Sequence, residues 1–336
     1  MKKLIQTLAL GVTALGTSLS GVSAEEWRLN NFLPETRPET AEIEQFVKDV
    51  NATVEGDFEL KLYSGGSLGL PNTDTLRFLP KGAVEMSLMW ANYLGRDAPA
   101  LSSVVVQGTI GSIDEFEKAI PAVQEIYEEE FADWDVTSVG YVAIPMLSVS
   151  VFCRDEPVRT IEDLKSKKLR VWARDQVETF TRLGVAAQII PQEEMYVAMK
   201  TGVVDCALYP ALYAHTVSLQ EVASHAAFLY PMASGPYVIG VATDRWEETD
   251  ENIKSAITKA ADDLWNRTNQ YEDDQAREME AREKLAEQGV TWAEDFSDAD
   301  RELFVSSVTE TWAMLAEEAG GNAPAYRERV LKALGR

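Results

Sequence analysis

SKKLRVWARD, residues 166–175, reads as a basic cluster running into a short strand, KKLRVW (167–172). Alternate residues of a strand share a face, so Arg170 and Trp172 stand on one side of it. An arginine beside an indole is not ordinary core lining. Outward from this strand, residues 175–184 suit a helix closing at Gly184, and AAQIIP (186–191) suits a second strand. EEMYVAMKTG (193–202) then reads as a helix with a glycine C-terminus, and VVDCALYP (203–210) as a third strand stopped by Pro210. Strands alternating with helices predict a parallel sheet with helices on its faces.

The same rhythm occurs earlier. WRLNNF (27–32) reads as a strand, and residues 38–51 as a helix with Ile43, Phe46, Val47 and Val50 on one face. FELKLY (58–63) alternates as a half-buried strand, SGGSLG makes a glycine-rich turn, a helix near 72–79 follows, and VEMSLMW (84–90) is a further strand. Two units of one design imply two lobes. YVAIPMLSVSVFCRD (141–155) is long and β-branched enough to be a strand crossing between them. From Thr249 a single helical run is expected to continue to Gly289. Ser297 and Asp300 resemble a capping box for another helix, ending near Gly320. The charge clusters of this last third read as a solvated face.

The chain carries 55 acidic and 31 basic residues, a formal net charge of −24. Such a surface repels nucleic-acid phosphates and anionic lipid heads, so neither is expected as a partner. The N-terminus runs M-K-K, an apolar stretch LIQTLALGVTALGTSL, then V-S-A at 22–24. That pattern predicts a secretory signal cleaved after Ala24. The only cysteines are Cys153 and Cys206, and the only histidines His215 and His225. Neither pair has metal-site spacing, so no metal or other cofactor is expected. In an exported protein the cysteines could pair or stay as two buried, inert thiols.

Enzymatic readings find little support. There is no G-x-S-x-G elbow near either histidine, no P-loop, and no G-x-G-x-x-G after a strand. Parallel sheets bind ligands beyond the carboxyl ends of their strands. In this chain those ends carry Phe32, Trp90 and Tyr93 in the first unit, and Trp172, Tyr209 and Tyr213 around the second. Arg170 either joins the neighbouring K-S-K-K patch in solvent or offers its planar fork of donors to a carboxylate. In the second case the lobes should stay apart when empty and close when an anion supplies the missing partner.

The stretch IEDLKSKKLRV (161–171), followed by LGVAAQIIPQEEMYVAMKTGVVDCALYP (183–210), resembles the solute-binding subunits of TRAP transporters, the tripartite ATP-independent periplasmic family. F-L-P near the N-terminus, S-G-G-S-L-G, G-A-V-E-M and the C-terminal helices extend the likeness over the mature chain. The resemblance implies an α/β, two-lobed periplasmic binding protein, type II-like, with a crossing strand and long C-terminal helices. Its expected parts are a signal peptide (1–24), a first lobe (25–146), a second lobe (147–235), and a return strand with bracing helices (236–336). It further implies a non-enzymatic periplasmic receptor that captures a small organic acid and delivers it to an integral-membrane permease. Arg170 matches the arginine that usually pairs with the ligand carboxylate.

Three departures from the family pattern stand out. Ser150 occupies the place of a second arginine on the crossing strand, Tyr209 that of an asparagine, and Gln192 that of a phenylalanine. One cation fewer and one phenol more favour a monocarboxylate with an apolar or aromatic body over a small dicarboxylate. If Ser150 and Tyr209 reach one ligand from neighbouring antiparallel strands, Cys153 and Cys206 face each other and a disulfide becomes feasible. The charged segment 272–284 shows no apolar stripe, which favours a monomer. Two alternatives remain at this point: a ligand-sensing partner of a membrane receptor, and a secreted hydrolase.

Overall fold

The computed structural model describes residues 25–54 and 58–336. The expected signal peptide and its cleavage after Ala24 lie outside the described residues. In chain order, β1 (Glu25–Asn30), β2 (Phe58–Tyr63), β3 (Met86–Met89) and β4 (Val136–Val142) belong to one sheet. The chain then crosses through 143–146 to a second sheet, forming β5 (Leu147–Cys153), β6 (Lys168–Val171), β7 (Ala186–Ile189), β8 (Cys206–Pro210) and β9 (His225–Met232). It returns through 233–236 to β10 (Tyr237–Ala242) in the first sheet, and a two-residue strand β11 (Thr291–Trp292) edges the second.

The first sheet has the order β2-β1-β3-β10-β4 and the second β11-β9-β5-β8-β6-β7. Each contains a parallel trio made by strand–helix–strand connections: β2, β1, β3 and β7, β6, β8. The strand that enters each sheet from a crossing runs against its trio, β10 against β3 and β5 against β8. The expected crossing strand is therefore two strands, because Pro145 lies between β4 and β5 and cannot donate to a ladder. The return crossing is tight as well. A Cβ on Gly235 would sit 2.1 Å from the hydroxyl oxygen of buried Tyr127, so no larger residue fits there unless Tyr127 moves.

The helical last third differs from expectation in one respect. The single run from Thr249 to Gly289 is two helices, Glu251–Thr268 and Asp274–Glu287. The break has a structural use. Thr268 Oγ1 accepts from the Ala143 N–H at 3.1 Å, and Tyr271 buries its ring against Phe116. Asp274 then accepts from the Met146 N–H at 2.8 Å, so the junction grips both ends of the first crossing. Nor are all of the acids in 272–284 on a solvated face. Asp274 and Glu278 are buried, and Glu278 accepts from the Ala211 and Leu212 N–H groups, fixing the turn after β8.

The next helix, Asp298–Ala319, is capped by Ser297, whose side chain accepts from the Asp300 N–H. It touches both halves of the molecule. Trp312 Nε1 donates to Ser103 O at 2.8 Å, Ser307 Oγ donates to Thr179 O at 2.8 Å, and Asp300 accepts from the Ile161 N–H at 3.0 Å.

Candidate functional site

The carboxyl ends of the two parallel trios point into one cavity of about 510 Å³, including its open mouth. Past β1 stands Phe32; past β3, Trp90 and Tyr93. The second sheet adds Arg170 and Trp172 from the end of β6, Gln192 past β7, Tyr209 in β8 and Tyr213 just beyond it. The crossings contribute Ile144 and Ser234, and the first residues of the strands that follow them, Leu147 and Tyr237, join the lining. Of the residues expected from the sequence, Ser150 alone stays outside this lining. It faces Tyr209 directly across the β5–β8 ladder, but its hydroxyl is buried without a hydrogen-bond partner. The long tyrosine reaches the cavity from that level and the short serine does not.

Arg170 is 1 % exposed. Its Nε donates to Ile190 O at 2.9 Å and its Nη1 to Leu208 O at 3.2 Å, so carbonyls just past β7 and within β8 fix the guanidinium. Its Cζ lies 5.7 Å from the Trp172 ring and 5.6 Å from the Tyr209 ring. Among the described residues no carboxylate pairs with it. Burial lowers its basicity, with Tyr93, Tyr209 and Glu193 opposing. Three of its five N–H groups have no protein acceptor there, and the buried Trp172 Nε1–H has none either. Burial keeps the surrounding phenols neutral: Tyr93 is pushed up to about 12, and Tyr209 is raised as well. The surroundings are apolar and aromatic, rich in donors and short of negative charge.

A second arginine lines the same cavity and was not anticipated. Arg37, 5 % exposed, precedes the helix Pro38–Thr53 at the end of the loop leaving β1. Its Nε and Nη2 donate to the two oxygens of buried Glu39 at 3.1 and 3.2 Å, and Nη1 donates to Gln192 Oε1 at 3.4 Å. Its guanidinium stacks 3.4 Å from the Tyr213 ring centroid, and the Tyr213 hydroxyl donates to Glu39. Burial alone would neutralise both members of the pair. Their mutual attraction prevails, holding Arg37 well above and Glu39 below their ordinary values. In the sequence, P-E-T-R-P-E-T looks like a solvated helix start. The available signal was an arginine and an acid two residues apart, in the loop between a strand's carboxyl end and the next helix.

Polar bridges join the halves behind the cavity. Trp90 Nε1 donates to Ser234 Oγ at 2.9 Å, and Gln107 Nε2 donates to the same oxygen at 3.5 Å. Gln176 donates from Nε2 to Gln107 Oε1 at 2.8 Å and accepts at its Oε1 from the Trp172 N–H at 3.0 Å. Asp175 accepts from the Gln107 N–H at 3.1 Å, and burial pushes its carboxyl up to about 6. Cys153 and Cys206, opposite each other on β5 and β8, form a disulfide. Among the described residues no cluster of His, Cys, Asp or Glu could hold a metal, and no helix is long and apolar enough to cross a membrane.

This architecture, two α/β lobes with a donor-rich cavity at the ends of their strands, defines a solute receptor. The chain belongs to the bacterial extracellular solute-binding proteins, family 7, whose pattern matches residues 29–319. It is 26% identical over 268 residues to a solute-binding protein of Chromohalobacter salexigens, covering 78% of each chain. Among solved structures it is similar to a TRAP periplasmic solute-binding protein of the same organism with bound d-glucuronate. That match has a TM-score of 0.77 and 22% identity and covers 92% of this chain and 99% of the other. It is also similar to one from Rhodoferax ferrireducens with bound malonate, with a TM-score of 0.78 and 18% identity, covering 92% and 98%.

Proposed function

We propose that this protein is the periplasmic receptor of a TRAP transporter, capturing a small organic acid and handing it to an integral-membrane permease. The observation that supports this is Arg170: a fully buried guanidinium, oriented by two backbone carbonyls, with no acidic partner among the described residues. A desolvated cation of this kind costs several kcal/mol, roughly, unless an anion joins it. A ligand carboxylate accepting from Arg170 and Trp172 Nε1–H supplies that anion, and closure of the lobes around it excludes water and strengthens the pairing. The receptor acts as a monomer after export and signal cleavage.

The ligand is a monocarboxylate whose body lies against Trp90, Trp172 and Tyr209. The solved relatives hold both d-glucuronate, a hydroxylated monocarboxylate, and malonate, a dicarboxylate. The fold thus leaves the class open and the side chains of this cavity decide it. Mass spectrometry of the small molecule that copurifies, recovered chemically unchanged, identifies the ligand and separates a receptor from a hydrolase. In a thermal-shift screen, branched or aromatic monocarboxylates are expected to stabilise more than succinate; the reverse order rejects this ligand class.

A further inference from the structure

The cavity contains two arginines but only one uncompensated charge. Glu39 takes two of the five N–H groups of Arg37, and Gln192 takes a third, leaving one hydrogen on Nη1 and one on Nη2. Arg37 lines the cavity, whereas Glu39 does not; it stands behind the guanidinium and also accepts from the Tyr213 hydroxyl. Gln192 Oε1 accepts from Tyr209 at 2.8 Å as well as from Arg37, so one side chain links the Arg37 wall to the tyrosine beside Arg170. Seen from inside the cavity, Arg37 is a fixed hydrogen-bond donor whose charge is already cancelled.

We infer that the Arg37–Glu39 pair is the specificity device of this receptor: it accepts an uncharged oxygen at the far end of the ligand and refuses a second carboxylate. A hydroxyl, keto or amide oxygen can use the two remaining N–H groups without disturbing Glu39. A second carboxylate brings another negative charge toward a buried site where Glu39 already satisfies the cation. The ligand class narrows from monocarboxylates in general to those with a neutral oxygen acceptor remote from the carboxylate. The inference rests on the carboxylate reading of Arg170 proposed above.

The test has two arms. In the unmodified protein, calorimetry compares 4-hydroxyphenylacetate with phenylacetate, and 5-hydroxyhexanoate with hexanoate. The hydroxylated member of each pair should bind about tenfold tighter, as for a hydrogen bond to a charged donor. Glu39→Gln keeps an acceptor for Arg37 but removes the compensating charge, so succinate should bind at least about 30-fold tighter than to the unmodified protein. The double variant Arg37→Gln/Glu39→Gln, which has no charge at this wall, should lose both the succinate gain and the hydroxyl preference. The inference is overturned if folded Glu39→Gln still ignores succinate, or if neither hydroxylated acid is preferred. Should Glu39→Gln not fold, the comparison of acids in the unmodified protein decides alone. If the unmodified protein binds none of these acids, the carboxylate reading fails and takes this inference with it; if it binds them only while Arg170 is present, a flat Glu39→Gln result removes this inference alone.

Discussion

Arg170 and Arg37 line one cavity and are almost equally hidden from water, yet electrically they are opposites. Arg170 is held by carbonyl oxygens, which orient a cation without cancelling it. Arg37 is held by a carboxylate, which orients and cancels it together. Burial therefore does not separate the two; the formal charge of the group behind each guanidinium does. The backing groups follow from chain connectivity. Ile190 follows directly on β7 and Leu208 lies within β8, the two strands flanking β6, so their carbonyls converge on Arg170, while Glu39 opens a helix two residues after Arg37.

The sharpest way to break the comparison is Arg170→Ala. If Arg170 is the anchor, losing one partner of a buried charge pair costs about 2–5 kcal/mol, a fall in affinity of roughly 30- to 5,000-fold. Calorimetry against the copurified ligand measures it. Affinity within a few-fold of the unmodified protein would remove Arg170 from its role and leave the two arginines alike.

A second test asks what holds the Arg170 wall. The disulfide ties β5 to β8 two residues before Leu208, which accepts from the guanidinium. It closes a 53-residue separation, and removing it with Cys153→Ala/Cys206→Ala should cost about 2–4 kcal/mol of stability by denaturant titration. Ligand affinity should change little, because the backbone carbonyls, not the crosslink, orient Arg170. In the unfolded, unreduced parent protein no titratable thiol is expected.

Asp175 is the acidic counterpart of Arg170, a buried carboxyl with no basic partner among the described residues. Its carboxyl titrates near 6 in the fold against an ordinary 3.8, so the folded state binds its proton more tightly. Its contribution to stability is thus fully present below about pH 4 and is lost as pH rises through 6, amounting to about 3 kcal/mol. Asp175→Asn keeps an oxygen for the Gln107 N–H and carries no charge. It should be more stable than the parent at pH 7.5 and should flatten the decline between pH 4 and 7, as followed by melting temperature. Glu39 behaves oppositely: held below its ordinary value, it stabilises above about pH 4.5 and loses that contribution as the pH falls lower.

How much of this was readable beforehand depends on the range of the interactions. The parallel trios were legible because strand–helix alternation is a local signal; the face Arg170 shares with Trp172 marked it out, but left a solvated side chain and a buried one equally open until the family resemblance was weighed. Arg37 was not, since its cavity position depends on β1 standing next to β3 and on Tyr213 arriving from the other lobe. The break at residues 269–273 escaped for a related reason: the pull on Thr268 and Asp274 comes from the first crossing, more than 120 residues earlier. The helix Ile113–Ala132 left only a Ser112 cap and an apolar face, with Pro121 inside it obscuring the pattern.

The smallest effect expected belongs to the group between the two arginines. Tyr209 donates to Gln192 Oε1, which also accepts from Arg37. Tyr209→Phe keeps the ring beside Arg170 and removes only the hydroxyl, so about 0.5–1.5 kcal/mol, at most roughly tenfold in affinity, is at stake. The pattern of the loss carries more information than its size. If Tyr209 merely walls the Arg170 end, all monocarboxylates should weaken alike. If its hydroxyl steadies Gln192 and through it Arg37, the hydroxylated acids should lose more than their unsubstituted partners, because only they reach the neutral wall.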